Sequence, residues 1–105
     1  MAARRQGNRV TRQPVQLLVA IEGFDLWSSP WTFLDTVRAA PPLDADDRRL
    51  LDALWAVACH AEHWTTTCTL QTGTAAAETA LAQRYAWLSP LACRQLARAA
   101  SYQWR

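Results

Sequence analysis

Residues 44–63 read DADDRRLLDALWAVACHAEH, and their periodicity decides the fold class. Projected at about 100° per residue, Leu50, Leu51, Leu54, Val57, Ala58 and Ala61, with Trp64 just beyond, gather on one side. Arg48, Arg49, Asp52, Cys59 and His63 gather on the other. This is the pattern of a helix with one buried stripe. Asp44 is a good N-cap, because a short carboxylate accepts the unpaired amides of a first turn. Asp46 and Asp47 then complement the helix dipole. The spacing predicts a helix from Asp44 to about His63.

Working outward, the same punctuation recurs. Ser29-Pro30 announces a helix with Ser as cap and Pro in the first turn, its apolar stripe being Trp31, Leu34 and Val37, and Pro41-Pro42 ends it. From Pro14 to Glu22, Val15, Leu18 and Ile21 recur at threes with Leu17 alongside, and Gly23 is the stop. A short helix fits, although Leu17 to Ile21 also suits a buried strand. Thr65 to Gly73 reads as a Thr-rich loop. Thr74 then caps a fourth helix with Ala77, Leu81, Tyr85 and Leu88 inward. Ser89-Pro90 opens a fifth that reaches almost to residue 105. Residues 1–12 are polar and aperiodic, and we divide the chain into a flexible Arg-rich arm, 1–13, and one helical domain, 14–105. The expected fold is all-α, a small bundle of about five short helices.

Charge is segregated within a net +2, and all eleven basic side chains are Arg. Arg4, Arg5, Arg9 and Arg12 precede an acidic middle that holds all nine carboxylates. Arg84, Arg94, Arg98 and Arg105 follow the last of them, Glu78. Such asymmetry speaks to partners rather than to fold. Three cysteines, an odd number, argue against a disulfide framework and for a reducing compartment. The apolar run Leu17 to Ile21 is too short to span a bilayer. The expected location is therefore the cytoplasm, with no membrane partner.

Catalytic chemistry finds no assembled set. Cys59 and His63 stand four apart, where one helix face can offer two metal ligands, and Cys68 and Cys93 are the candidates to complete a site. No Cys-x-x-Cys pair supports it, and helix-end chemistry accounts for the histidines. His60-Ala61-Glu62 matches half of the zinc deaminase signature, but the Pro-Cys-x-x-Cys half is missing. The three glycines form no phosphate loop. The expectation is a non-enzymatic protein without metal or cofactor.

Recognition is better supported. Six tryptophans in 105 residues are more large amphipathic rings than so short a chain easily hides. Trp55, at the edge of its stripe, and Trp87, off the stripe of the fourth helix, are the expected exposed anchors. On the last helix Cys93, Leu96, Ala97, Ala100 and Trp104 share the inward side. Arg94, Arg98, Ser101 and Arg105 fall within a sector of about 60° elsewhere, bordered by Leu91 and Tyr102. The candidate partner-binding residues are Arg94, Arg98, Ser101, Tyr102, Arg105, Trp55 and Trp87. They suit a protein partner with an acidic face, the chain acting as a regulator or inhibitor.

The spacing from Leu81 to Leu96 also resembles a helix-turn-helix. Leu81-Ala82-Gln83-Arg84 stand in the first helix, Ala86 in the turn, and Ala92 to Leu96 in the recognition helix. The resemblance implies a DNA-binding transcriptional regulator that reads the major groove with Arg94 and Arg98. The chain departs from the pattern in having Ala86-Trp87 where Gly is usual, and in a Ser-Pro start one residue late. A small metal-binding protein around Cys59 and His63 is a third reading.

Overall fold

The computed structural model describes residues 14–65 and 69–104. The arm expected over 1–13, and Arg105 and Cys68, lie outside them. The first helix, α1, spans Val15–Glu22 and resolves the helix-or-strand choice at this segment in favour of helix. Only Leu17 and Ile21, one turn apart, are buried. Val15 and Val19 are 57% and 59% exposed, so the inward stripe is rotated from the expected Val15, Leu18 and Ile21.

A 3₁₀ turn over Pro30–Thr32 leads into α2, Phe33–Arg38. Ser29 makes no side-chain cap; its carbonyl instead accepts from Thr32 N at 3.0 Å and Thr32 Oγ1 at 2.7 Å. A 3₁₀ turn advances three residues per turn rather than 3.6, so side chains shift around the axis relative to an α-helix. Phe33, not Trp31, therefore enters the core with Val37, and Trp31 stands 76% exposed. This corrects the expected Trp31-Leu34-Val37 stripe.

Helix α3 spans Ala45–Ala58 and starts as its sequence dictates. Asp47 N donates to Asp44 Oδ1 at 2.8 Å, and Asp44 N donates back to Asp47 Oδ2 at 3.2 Å, a reciprocal capping box. Leu51, Leu54 and Ala58 are fully buried. Arg38 forks onto the Asp52 carboxylate, and Arg48 Nε donates to Arg38 O at 3.2 Å, so α2 is held to α3 at two points.

The end of α3 falls five residues short of the expected His63. A separate turn of helix, α4, follows over Ala61–Thr65. The carbonyls freed by the break are taken up by rings. The His63 imidazole Nε2 lies 3.0 Å from Val57 O, Trp64 Nε1 donates to Ala58 O at 3.0 Å, and Trp104 Nε1 donates to Cys59 O at 3.1 Å. A helix terminus leaves its last carbonyls without intrahelical partners, and here three side chains serve them. Trp104 accordingly lies at the surface, 37% exposed, rather than inward as expected.

Helix α5, Leu70–Arg84, is capped five residues before the expected cap at Thr74. Thr69 is the cap, accepting from Thr72 N at 3.1 Å while Thr72 Oγ1 accepts from Thr69 N at 3.2 Å. Gly73 thus lies within the helix, not in a loop. The Trp64 ring presses against it: a Cβ there would sit 2.6 Å from Trp64 Cε3. Ala77 and Leu81 are buried as expected. Tyr85 and Leu88 lie beyond the helix end, the first half-buried and the second buried.

Helix α6, Pro90–Gln103, has the Ser89 cap (Ala92 N to Ser89 Oγ, 3.0 Å) and the proline start that its sequence predicts. It packs against α1, α3, α5 and the 3₁₀ turn. Besides the expected Cys93, Leu96, Ala97 and Ala100, it buries Ala92, Gln95 and Ala99. Gln95 Nε2 donates to Phe24 O at 2.7 Å, where α1 has ended, and the Ser89 hydroxyl donates to the Glu22 carboxylate. Leu17, Ile21, Phe33, Leu51, Leu54, Leu81 and Leu96 form one core around this central helix. The all-α bundle expected from the sequence is the observed architecture.

Candidate functional site

A cleft of about 380 Å³ opens between the chain around the 3₁₀ turn, α3 and the last turn of α6. Each wall has a local cause. The 3₁₀ geometry turns Trp31 outward over Pro30, α3 presents Trp55 beside its buried stripe, and α6 contributes Ala99, Tyr102 and Gln103. Trp27 and Phe33 form the base. Phe24 meets Trp27 edge-on at 4.8 Å and 86°, and Phe33 lies near-parallel to Trp55 at 5.8 Å and 22°. Trp27 is near-parallel to Tyr102, centroids 6.5 Å apart, and the Arg98 guanidinium carbon lies 4.0 Å from its ring centroid. Contacts of these kinds fix the rings in place, a cation over an indole contributing roughly 0.5–1 kcal/mol at an exposed position.

The polar groups of the cleft are unevenly supplied. The indole N–H of Trp64 and of Trp104 donates to a main-chain carbonyl elsewhere. Those of Trp27, Trp31 and Trp55 have no acceptor among the described residues. Ser28, Tyr102 and Gln103 are the other polar lining residues, and none of the lining is a carboxylate. The site combines aromatic rings with neutral polar groups.

The structure brings together Trp55, Tyr102 and, through Trp27, Arg98 from the predicted set. Ser101 is half-buried beside them, its hydroxyl donating to Arg98 O at 2.6 Å. Arg94 is exposed one turn earlier on α6 and is not part of the lining. Trp87 is half-buried after α5, edge-on to Tyr85 at 6.0 Å, and also outside the cleft. Arg105 lies outside the described residues. The expected row of outward guanidinium groups is thus divided: Arg94 stands in solvent, while Arg98 lies down on Trp27. Trp27 and Trp31 were not among the expected partner-binding residues. The same Ser-Pro signal opens a regular helix at Ser89-Pro90, so it did not distinguish the 3₁₀ start that exposes Trp31.

Cys59 and His63 do not join a third ligand: among the described residues no group of three or more His, Cys, Asp or Glu is placed to hold a metal. His63 is turned to the α3 terminus instead. Cys59 packs against the core, not on the solvent side as expected, and burial pushes its thiol up to about 11. Burial also raises Cys93, with Glu78 adding to the shift and Arg94 opposing it. Both are protonated and poorly nucleophilic at neutral pH. No helix among the described residues is long and apolar enough to cross a membrane.

Comparison with protein-family models, with curated proteins and with solved structures finds no match to this chain.

Proposed function

We propose that this chain is a non-enzymatic binding protein of the cytoplasm, a small regulator or inhibitor that docks on another protein through the aromatic cleft. The observation that supports this reading is Trp31, 76% exposed at the mouth of a cleft that also holds Trp27, Trp55 and Tyr102. A large ring held in solvent is unfavourable for an isolated chain. Interfaces centre on such rings, because an amphipathic plane becomes desolvated there at small cost in side-chain entropy. Arg98, against Trp27 of the cleft, and Arg94, one turn earlier on the same helix, supply positive charge to which an acidic partner face is complementary.

The helix-turn-helix reading has less support. A recognition helix must project a face into a groove. Here α6 is the most enclosed helix, its exposed residues from Leu91 to Arg98 being Leu91, Arg94 and Arg98. Arg98, one of the two base-reading candidates, is already placed on Trp27.

Quantitative capture from a lysate of the source cells tests the docking reading. Wild-type protein should retain a stoichiometric partner. Trp31→Ala should lose it while keeping its far-UV circular dichroism, and Arg94→Glu with Arg98→Glu should weaken it with a steeper dependence on salt. Capture unaffected by either variant overturns the assignment to this face. Retention on duplex DNA that falls linearly in log–log terms with salt would favour the nucleic-acid alternative.

A further inference from the structure

Beyond docking, we infer that the cleft is also a small-molecule site, whose ligand is an uncharged, flat compound of two or three fused rings bearing a carbonyl or hydroxyl group. Size comes first. A dry cavity of about 150 Å³ admits benzene, and small-molecule sites span roughly 300–1,000 Å³. The cleft, at about 380 Å³, has room for more than one ring.

The lining selects against charge. None of its ten residues is Asp, Glu, Arg, Lys or His. The Arg98 guanidinium lies over the Trp27 ring, and Arg98 is not among the lining residues. An ionic ligand would give up its hydration without meeting an opposite charge, which is costly. Neutral polarity is provided for. Ser28 and Gln103 line the cleft, and neither side chain has a hydrogen-bond partner among the described residues. A hydroxyl and a carboxamide each donate and accept, so a carbonyl or hydroxyl on the ligand has a counterpart. Shape follows from the rings. Along the series Trp55, Phe33, Trp27, Tyr102, successive planes are inclined by 22°, 23° and 28°. These four rings face one another, so that wall is formed before anything binds. Trp31 differs: its side chain makes no ring contact and no hydrogen bond among the described residues, and it is 76% exposed. Its indole face is the one left for stacking, and a flat aromatic compound covers it where a saturated one offers no π face.

The test is a titration of the full chain with naphthamide and three analogues of similar size: naphthoate, naphthylmethylammonium and the decahydro form of the amide. Calorimetry and the indole N–H resonances follow binding. Naphthamide should bind saturably and move the Trp31 signal. The signals of Trp64 and Trp104, whose N–H groups are tied to main-chain carbonyls, should stay in place. The anion and the cation should bind about ten-fold more weakly for want of a counter-charge, and the saturated amide several-fold more weakly. Trp31→Ala should lower naphthamide affinity about ten-fold with an unchanged circular dichroism spectrum. Ser28→Asp, which places a carboxylate in the lining, should raise the affinity of the ammonium compound and lower that of naphthoate. Equal affinity for all four compounds, or naphthamide binding that Trp31→Ala leaves intact, overturns the inference. Capture of a cellular partner through Trp31 without naphthamide binding overturns the small-molecule site and leaves docking standing. Naphthamide binding of the expected selectivity without a captured partner does the reverse.

Discussion

Gly73 shows how one residue can be misread by its type. A glycine after a threonine-rich stretch suggests a loop, yet this one lies inside α5 because the Trp64 ring occupies the space of its side chain. Two opposing effects meet there. Alanine would gain about 0.5–1 kcal/mol in helix propensity, but its Cβ would lie 2.6 Å from Trp64 Cε3 and 3.0 Å from His63 O. Since Trp64 is itself anchored by its hydrogen bond to Ala58 O, the ring has little room to yield. Gly73→Ala should therefore destabilise the protein by about 1–3 kcal/mol, as overpacking does. In a Trp64→Ala background the same change should cost much less. Denaturant unfolding of the four proteins measures the coupling; equal effects in both backgrounds would show that the ring is not what requires glycine. The tryptophans as a group follow the same lesson. Their abundance was plain in the sequence, but which of them cap carbonyls and which remain open depends on contacts up to 45 residues away.

At the scale of elements, starts were more readable than ends. Asp44 and Ser89 act where the sequence places them, since a cap needs only neighbours three residues on. The break after Ala58 was unreadable because partners from α4 and α6 make it affordable to the backbone. The start of α5 was missed because two threonines fill the roles usually given to Ser or Thr and Glu or Gln. Its correction is testable. Thr69→Ala should lower stability by about 1 kcal/mol. Thr74→Ala should be near neutral, because its hydroxyl merely donates back to Leu70 O at 2.7 Å within the helix. A larger loss at Thr74 than at Thr69 would return the helix start to the later position.

At the scale of the whole molecule, the all-helical class followed from local patterning, whereas the cleft did not. Its walls come from three separate stretches, and its mouth depends on a 3₁₀ turn that a uniform helical projection cannot represent. The centrality of α6 was similarly hidden. Its apolar stripe was evident, but Gln95 was not among the residues read as inward, because its role depends on Phe24 O from a distant stretch. Gln95 is 8% exposed, and its amide holds the end of α1 to the middle of α6. Gln95→Leu should cost about 1–3 kcal/mol, the penalty of leaving a buried carbonyl unserved. Native-state hydrogen exchange should show the loss concentrated in α1, with α5 nearly unchanged. Uniform loss of protection would mean that the amide supports the bundle generally rather than this junction.

That junction joins positions 71 residues apart, which sets a schedule for synthesis. A nascent chain that has made α1 to α5 has neither the Ser89 hydroxyl nor the Gln95 amide, and Leu17 and Ile21 have not yet met their principal neighbour. Productive folding must wait until the codons for α6 have been read and that segment has cleared the ribosome's exit tunnel. Until then the apolar face of the first helix has only its lesser contacts with α2 and α3 to cover it.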